Sequence, residues 1–207
     1  MTDPDFLAMT YLVIDFEALT PTGRPAEPIE VAAIAGRFSA TGAWRELGRY
    51  SALMRPPDDV PITSFDVRQN GLTEEVLRSQ RPQAEVMAEL DGLLTTPPYR
   101  LVAHSAHIEA TLIKGKRSHC PTLAATPLLC TVKLARIAYP ELHSHALNEL
   151  LSFLRIPKPA DRHRALPDVQ LTVAILQAIL SAGVEAGAWR TLWDLQIAAG
   201  VYVKSQP

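Results

Sequence analysis

Tyr11-Leu12-Val13-Ile14-Asp15 is an unbroken apolar run that ends on an acid, and Phe16-Glu17 follows it directly. Such a run fits a central strand covered on both faces. Strand side chains alternate, so Asp15 and Glu17 face the same way, their Cα atoms ~6.6 Å apart. A carboxylate at the end of a buried strand is costly unless something pairs with it, and two on one face repel. A divalent cation is the simplest compensation, and hard oxygen ligands suit magnesium or manganese. If the strand stops at Ile14 instead, both acids are solvated loop residues. The D-x-E spacing by itself leaves both readings open.

Working outward, residues 29–38, IEVAAIAGRF, read as a second strand and 47–54, LGRYSALM, as a third, joined by a hairpin. Residues 56–63 are a Pro-rich loop. Thr73 caps a helix with Glu74 and Glu75 in its first turn, and a further helix runs from about Pro82 to Leu94. A short strand is expected at 99–104, a helix at 107–114 ended by Gly115, a strand at PLLC, and helices over TVKLARIAY and HALNELLSFL. Pro167 belongs in the first turn of a long apolar helix that ends at Gly183, and a last helix spans roughly 185–199. Strands first, then strands alternating with helices, argue an α/β fold with a mixed sheet. No linker divides the chain. Residues 10–183 are expected to form the working domain, with 184–207 a helical tail packed on it.

The chain has 207 residues with 47% hydrophobic and 20% charged residues, the balance of one globular domain. Twenty Lys and Arg against 22 Asp and Glu leave a net charge of −2, so nucleic acid could be held only by local basic groups. Cys120 and Cys130 are too few for a disulfide scaffold or a four-cysteine zinc site, and they point to a reducing cytoplasm. Together with His107, His119, His143 and His145 they match no standard zinc spacing. The acidic N-terminus does not resemble a signal peptide, and no stretch is expected to be apolar enough to span a membrane. Phosphate-loop, dinucleotide-binding and nucleophile-elbow motifs are absent.

Two further groups of residues carry chemistry. In VAHSAHIEATLI, residues 102–113, a strand ends at His104, a small-residue turn follows, and Glu109 lies early in a helix. Leu112 and Ile113 share its side of that helix, so Glu109 faces partly inward. In HRALPD, Asp168 lies in the first turn of the long helix, where the macrodipole favours an anion, and His163 stands in the loop before it. Histidine titrates near neutral pH and serves as a general base. Taken singly, each of these residues also fits an ordinary helix-terminal acid or a solvated loop histidine.

As an ordered set, D-x-E, A-H-S-A-x-x-E and H-x-A-x-x-D resemble the DnaQ-like exonucleases, the DEDD-superfamily subclass with a catalytic histidine. The segment EPIEVAAI, residues 27–34, looks like the family's second strand. Asn70-Gly71-Leu72-Thr73 and Cys130-Thr131-Val132-Lys133-Leu134-Ala135-Arg136 are similar to two further family segments. The resemblance runs from about residue 10 to 182. It implies an RNase H-like fold with a five-stranded mixed sheet and two divalent ions, Mg2+ or Mn2+, ~3.5–4 Å apart. Asp15, Glu17, Glu109 and Asp168 would hold them, and His163 would deprotonate the attacking water. The Ala18 backbone, Leu72 and His104 match positions that grip the terminal nucleotide, with Leu72 a wedge beside the last base or else plain core. The implied activity is 3′–5′ exonuclease on DNA, RNA or both, releasing nucleoside 5′-monophosphates.

The departures from the family pattern are Glu109 where it has Asp, Ser105 where it usually has Asn, and Ala18-Leu19 where Thr often follows D-x-E. Glu109 keeps open a second reading, a non-catalytic nucleic-acid- or protein-binding module on the same fold. Lys114, Lys116 and Arg117, then Arg155, Lys158, Arg162 and Arg164, are the basic residues nearest the motifs, and Arg162 and Arg164 are the expected phosphate contacts. With so little net charge, binding to single-stranded 3′ ends is expected to be weak and distributive. A second copy of the chain, or a polymerase or repair partner, would have to supply further grip.

Overall fold

The computed structural model describes residues 1–158 and 164–201. A short helix, α1 (Pro4–Ala8), precedes the first strand; Asp3 caps it by accepting from the Phe6 amide. The apolar run then forms β1 (Thr10–Leu19), which continues well past Ile14, so Asp15 and Glu17 lie within the strand. β2 (Glu27–Phe38) and β3 (Trp44–Leu53) complete an antiparallel meander with it.

Three helices follow: α2 (Ser64–Asn70), α3 (Glu74–Arg78) and α4 (Gln83–Gly92). The first is additional to those expected, and Thr63 and Asp66 start it with a capping box. β4 (Tyr99–Ala103) leads to α5 (His107–Gly115) and α6 (Pro121–Ala125), and β5 (Leu128–Cys130) leads to α7 (Thr131–Ala138) and α8 (Leu147–Phe153). α9 (Ala165–Glu185), α10 (Leu192–Ala199) and β6 (Gly200–Val201) end the described chain. The sheet order is β3-β2-β1-β4-β5-β6, with β1–β4 and β4–β5 parallel and the other pairs antiparallel. The fold is therefore α/β with a mixed sheet, of six strands where the family resemblance implies five. The extra strand is the two-residue β6, which pairs with β5 beyond the last helix.

Alternation along β1 divides the core. Tyr11 and Val13 point to the side covered by α7, α8 and α9, while Leu12, Ile14 and Phe16 point to the side covered by α4 and α5. Leu19 joins Ile29, Val60, Leu72 and Leu77 in a smaller third cluster. α9 packs against β1, β2, β3, α7 and α8. It is long and apolar enough to cross a membrane by length and composition, which corrects the expectation that no stretch would be. Its many buried residues, from Val169 to Leu180, instead build one side of the core.

α9 runs past the expected end at Gly183 to Glu185, and the last helix is shorter than expected. Gly187, at φ +70°, lets the chain leave α9, and Ala188 donates back to the Gly183 carbonyl 2.8 Å away. α10 then starts at a Thr191–Asp194 capping box. It packs on α7 and β5, and the Leu192 amide donates to Asp3 Oδ2 at 2.7 Å.

Candidate active site

Asp15 and Glu17 occupy alternate positions of β1, on the side of Tyr11 and Val13 that faces α9. A register shift falls immediately after them, between Glu17 and Ala18. The first turn of α9 supplies Asp168, which is buried. One oxygen from each of Asp15, Glu17 and Asp168 lies within 4.8 Å of the others. Burial pushes the Asp15 carboxyl well above the usual carboxylate range, and the charges of Glu109, Glu17, Asp168 and Glu30 push it further.

Glu109 lies in the first turn of α5, which packs against β1. It is 3% exposed, and its Oε2 has no hydrogen-bond partner among the described residues. Burial raises its pKa to about 8, against a smaller lowering by its own backbone N–H. The turn that aims it passes through Ser105 at φ 58°, a left-handed conformation that asparagine tolerates better than serine.

Several carboxylates gathered in a buried site, with one oxygen left without a donor, are unstable unless a cation or protons compensate. The donors are all hard oxygens, so the residues present fit a divalent ion of the magnesium or manganese type.

Among the remaining expected site residues, His104 follows β4 with Nδ1 2.9 Å from Thr131 Oγ1, which in turn donates to the Ala103 carbonyl at 3.4 Å. Ala18 is partly exposed beside the strand irregularity. Leu72 is 4% exposed and packs with Leu19, Ile29, Val60 and Leu77. Of the two readings left open for Leu72, wedge or core, this packing favours the core. His163 and Arg162 lie outside the described residues.

Arg164, an expected phosphate contact, is engaged within the protein: its Nε and Nη2 donate to Glu30 Oε2 and Oε1, each at 2.9 Å. Lys116 is likewise engaged, with Glu27 at 2.7 Å. Glu30 and Thr131 join the site although sequence spacing does not single them out. An acid inside the apolar run IEVAAI signals a buried carboxylate in need of a partner, but nothing in the spacing identifies that partner as Arg164.

The family model RNase_T, described as "Exonuclease", matches residues 12–176. The chain belongs to this exonuclease family. Its fold is that of solved exonucleases. It is similar to the DNA polymerase III PolC-type protein of Bacillus cereus, with 25% identity over 179 residues that cover 86% of this chain and 12% of that protein. The chain thus spans only a small part of the length of the curated relatives it matches.

Two solved structures share the fold. Exonuclease X in complex with 5′ overhanging duplex DNA aligns with a TM-score of 0.64 and 22% identity, over 91% of this chain and 99% of that one. The nuclease domain of 3′hExo, a DEDDh family member bound to rAMP, aligns with a TM-score of 0.70 and 17% identity, over 89% and 96%.

Proposed function

We propose that the chain is a metal-dependent 3′–5′ exonuclease that releases nucleoside 5′-monophosphates from single-stranded 3′ ends. The observation that carries this reading is the convergence of Asp15, Glu17 and Asp168 within 4.8 Å. Those three residues would hold the divalent ions, with Glu109 contributing directly or through a water. Bound there, such ions polarise the scissile phosphate and stabilise the charge that develops on it.

The chain's own groups do the rest. His163 takes the proton of the attacking water as its oxygen bonds to phosphorus. The bond from phosphorus to the 3′ oxygen of the penultimate nucleotide then breaks; that oxygen takes a proton from solvent water, and His163 returns its proton to solvent. His104, held by Thr131, orients the terminal nucleotide together with the backbone at Ala18. The ligands of the two structural neighbours, a DNA duplex and rAMP, are the reason both DNA and RNA belong in the test.

The test is a 5′-labelled strand incubated with Mg2+ or Mn2+, in matched single- and double-stranded DNA and RNA forms. A ladder shortening from the 3′ end, lost with EDTA and with Asp15→Asn, is the expected result. Retained binding without cleavage under either metal would overturn it in favour of a non-catalytic module.

A further inference from the structure

Glu30 is an acid within the buried strand β2, with its side chain 3% exposed. In the β1–β2 register it stands opposite Glu17. Its carboxylate receives three donors from one short segment: Nε and Nη2 of Arg164, and the Ala165 amide at 3.3 Å. Arg164 is the N-cap of α9 but supplies no side-chain cap of its own. Glu30 therefore caps the helix from another element, satisfying an amide that would otherwise lack an intrahelical partner.

The connection continues to the site. The Arg164 carbonyl accepts the Asp168 amide at 3.3 Å, so one chain of bonds runs from Glu30 through Arg164 to Asp168. The strand residue opposite Glu17 thus also anchors the helical turn that carries Asp168.

Building on the metal-dependent reading above, we propose that Glu30 and Arg164 are positioning residues. Their two-pronged ion pair locks the first turn of α9 to β2 and sets the spacing of Asp168 from Asp15 and Glu17. Divalent-ion affinity depends on that geometry more than on the local sum of charges.

Charge and geometry make opposite predictions here. By charge alone, removing the Arg164 cation strengthens cation binding, and shortening Glu30 to aspartate leaves it unchanged. A positioning role predicts that both changes weaken it, because the two-pronged pair fails in each.

The experiment is Mn2+ titration, read by the electron paramagnetic resonance of free Mn2+, on the full chain and on Arg164→Gln and Glu30→Asp. Thermal unfolding in EDTA checks that each variant is folded. Both variants are expected to bind Mn2+ roughly 10- to 100-fold more weakly, the usual effect of removing a group that orients a ligand. Unchanged or tighter binding by either folded variant would overturn the proposal. If Arg164→Gln does not fold, Glu30→Asp decides alone, since it keeps the charge and removes only one methylene. Absence of Mn2+ binding by the unaltered chain would instead overturn the metal-dependent reading itself.

Discussion

Asp15 in the middle of β1 and Asp168 in the first turn of α9 bring carboxylate oxygens within 4.8 Å of each other. Burial, and then repulsion from the neighbouring acids, push the Asp15 carboxyl well above the usual carboxylate range. That repulsion is useful to a protein that gathers cations and harmful to one kept without them.

Asp15→Asn is expected to separate these two effects. Exonuclease activity should fall about a hundred- to a thousandfold, the scale of losing a group that stabilises transition-state charge. The melting temperature in EDTA should rise, because one member of the repelling cluster is neutral. Labelled-strand kinetics and thermal denaturation on the same preparation check both; a lower melting temperature would show that the cluster stores no such repulsion.

Glu109 makes the ion-free protein sensitive to pH. Its pKa is about 8 in the fold against an ordinary 4.5, so the folded state keeps a proton that the unfolded chain loses. Its contribution to stability is complete below pH 4.5, declines as pH rises, and is gone above about 8. Melting in EDTA should therefore decline across that window, and Mn2+ should raise the melting temperature more at its upper end than at its lower end. Equal Mn2+ shifts at both ends would contradict this.

Glu109→Asp restores the family's shorter acid. Magnesium-dependent activity is expected to be equal or higher, as measured by initial rates on a labelled strand. A marked loss would mean that the site has adapted to the extra methylene.

Leu72→Ala is expected to act on stability. A buried leucine truncated to alanine loses about 2–5 kcal/mol, here from the cluster of Leu19, Ile29, Val60 and Leu77. Denaturant unfolding measures the loss, and KM for a short oligonucleotide should change little in the fraction that stays folded. A rise in KM without loss of stability would return Leu72 to the role of a wedge.

Ser105→Asn should stabilise the turn before Glu109 by up to about 1 kcal/mol, because asparagine accepts the left-handed backbone at lower energy. Denaturant midpoints compare the two chains directly, and an unchanged or lower midpoint would count against strain at this turn.

Much of this protein is legible in its residues. An apolar run ending in D-x-E marks the central strand, Pro167 marks the first turn of α9, and the order of the acidic motifs marks the family. Those features are local: period, turn chemistry and helix capping act over a few residues. The acids that gather are readable from the motifs, but whether β1 carries them or ends before them is decided by its pairing with β2 through Leu19.

What only the tertiary structure decided depends on contacts between distant segments. Leu72 enters the core because Leu19, Ile29, Val60 and Leu77 surround it. Arg164 turns toward Glu30 because a buried carboxylate in β2 needs a charged donor and the start of α9 brings one within reach. Residue spacing determines local form; partner choice among charged side chains awaits the packing that removes water from around them.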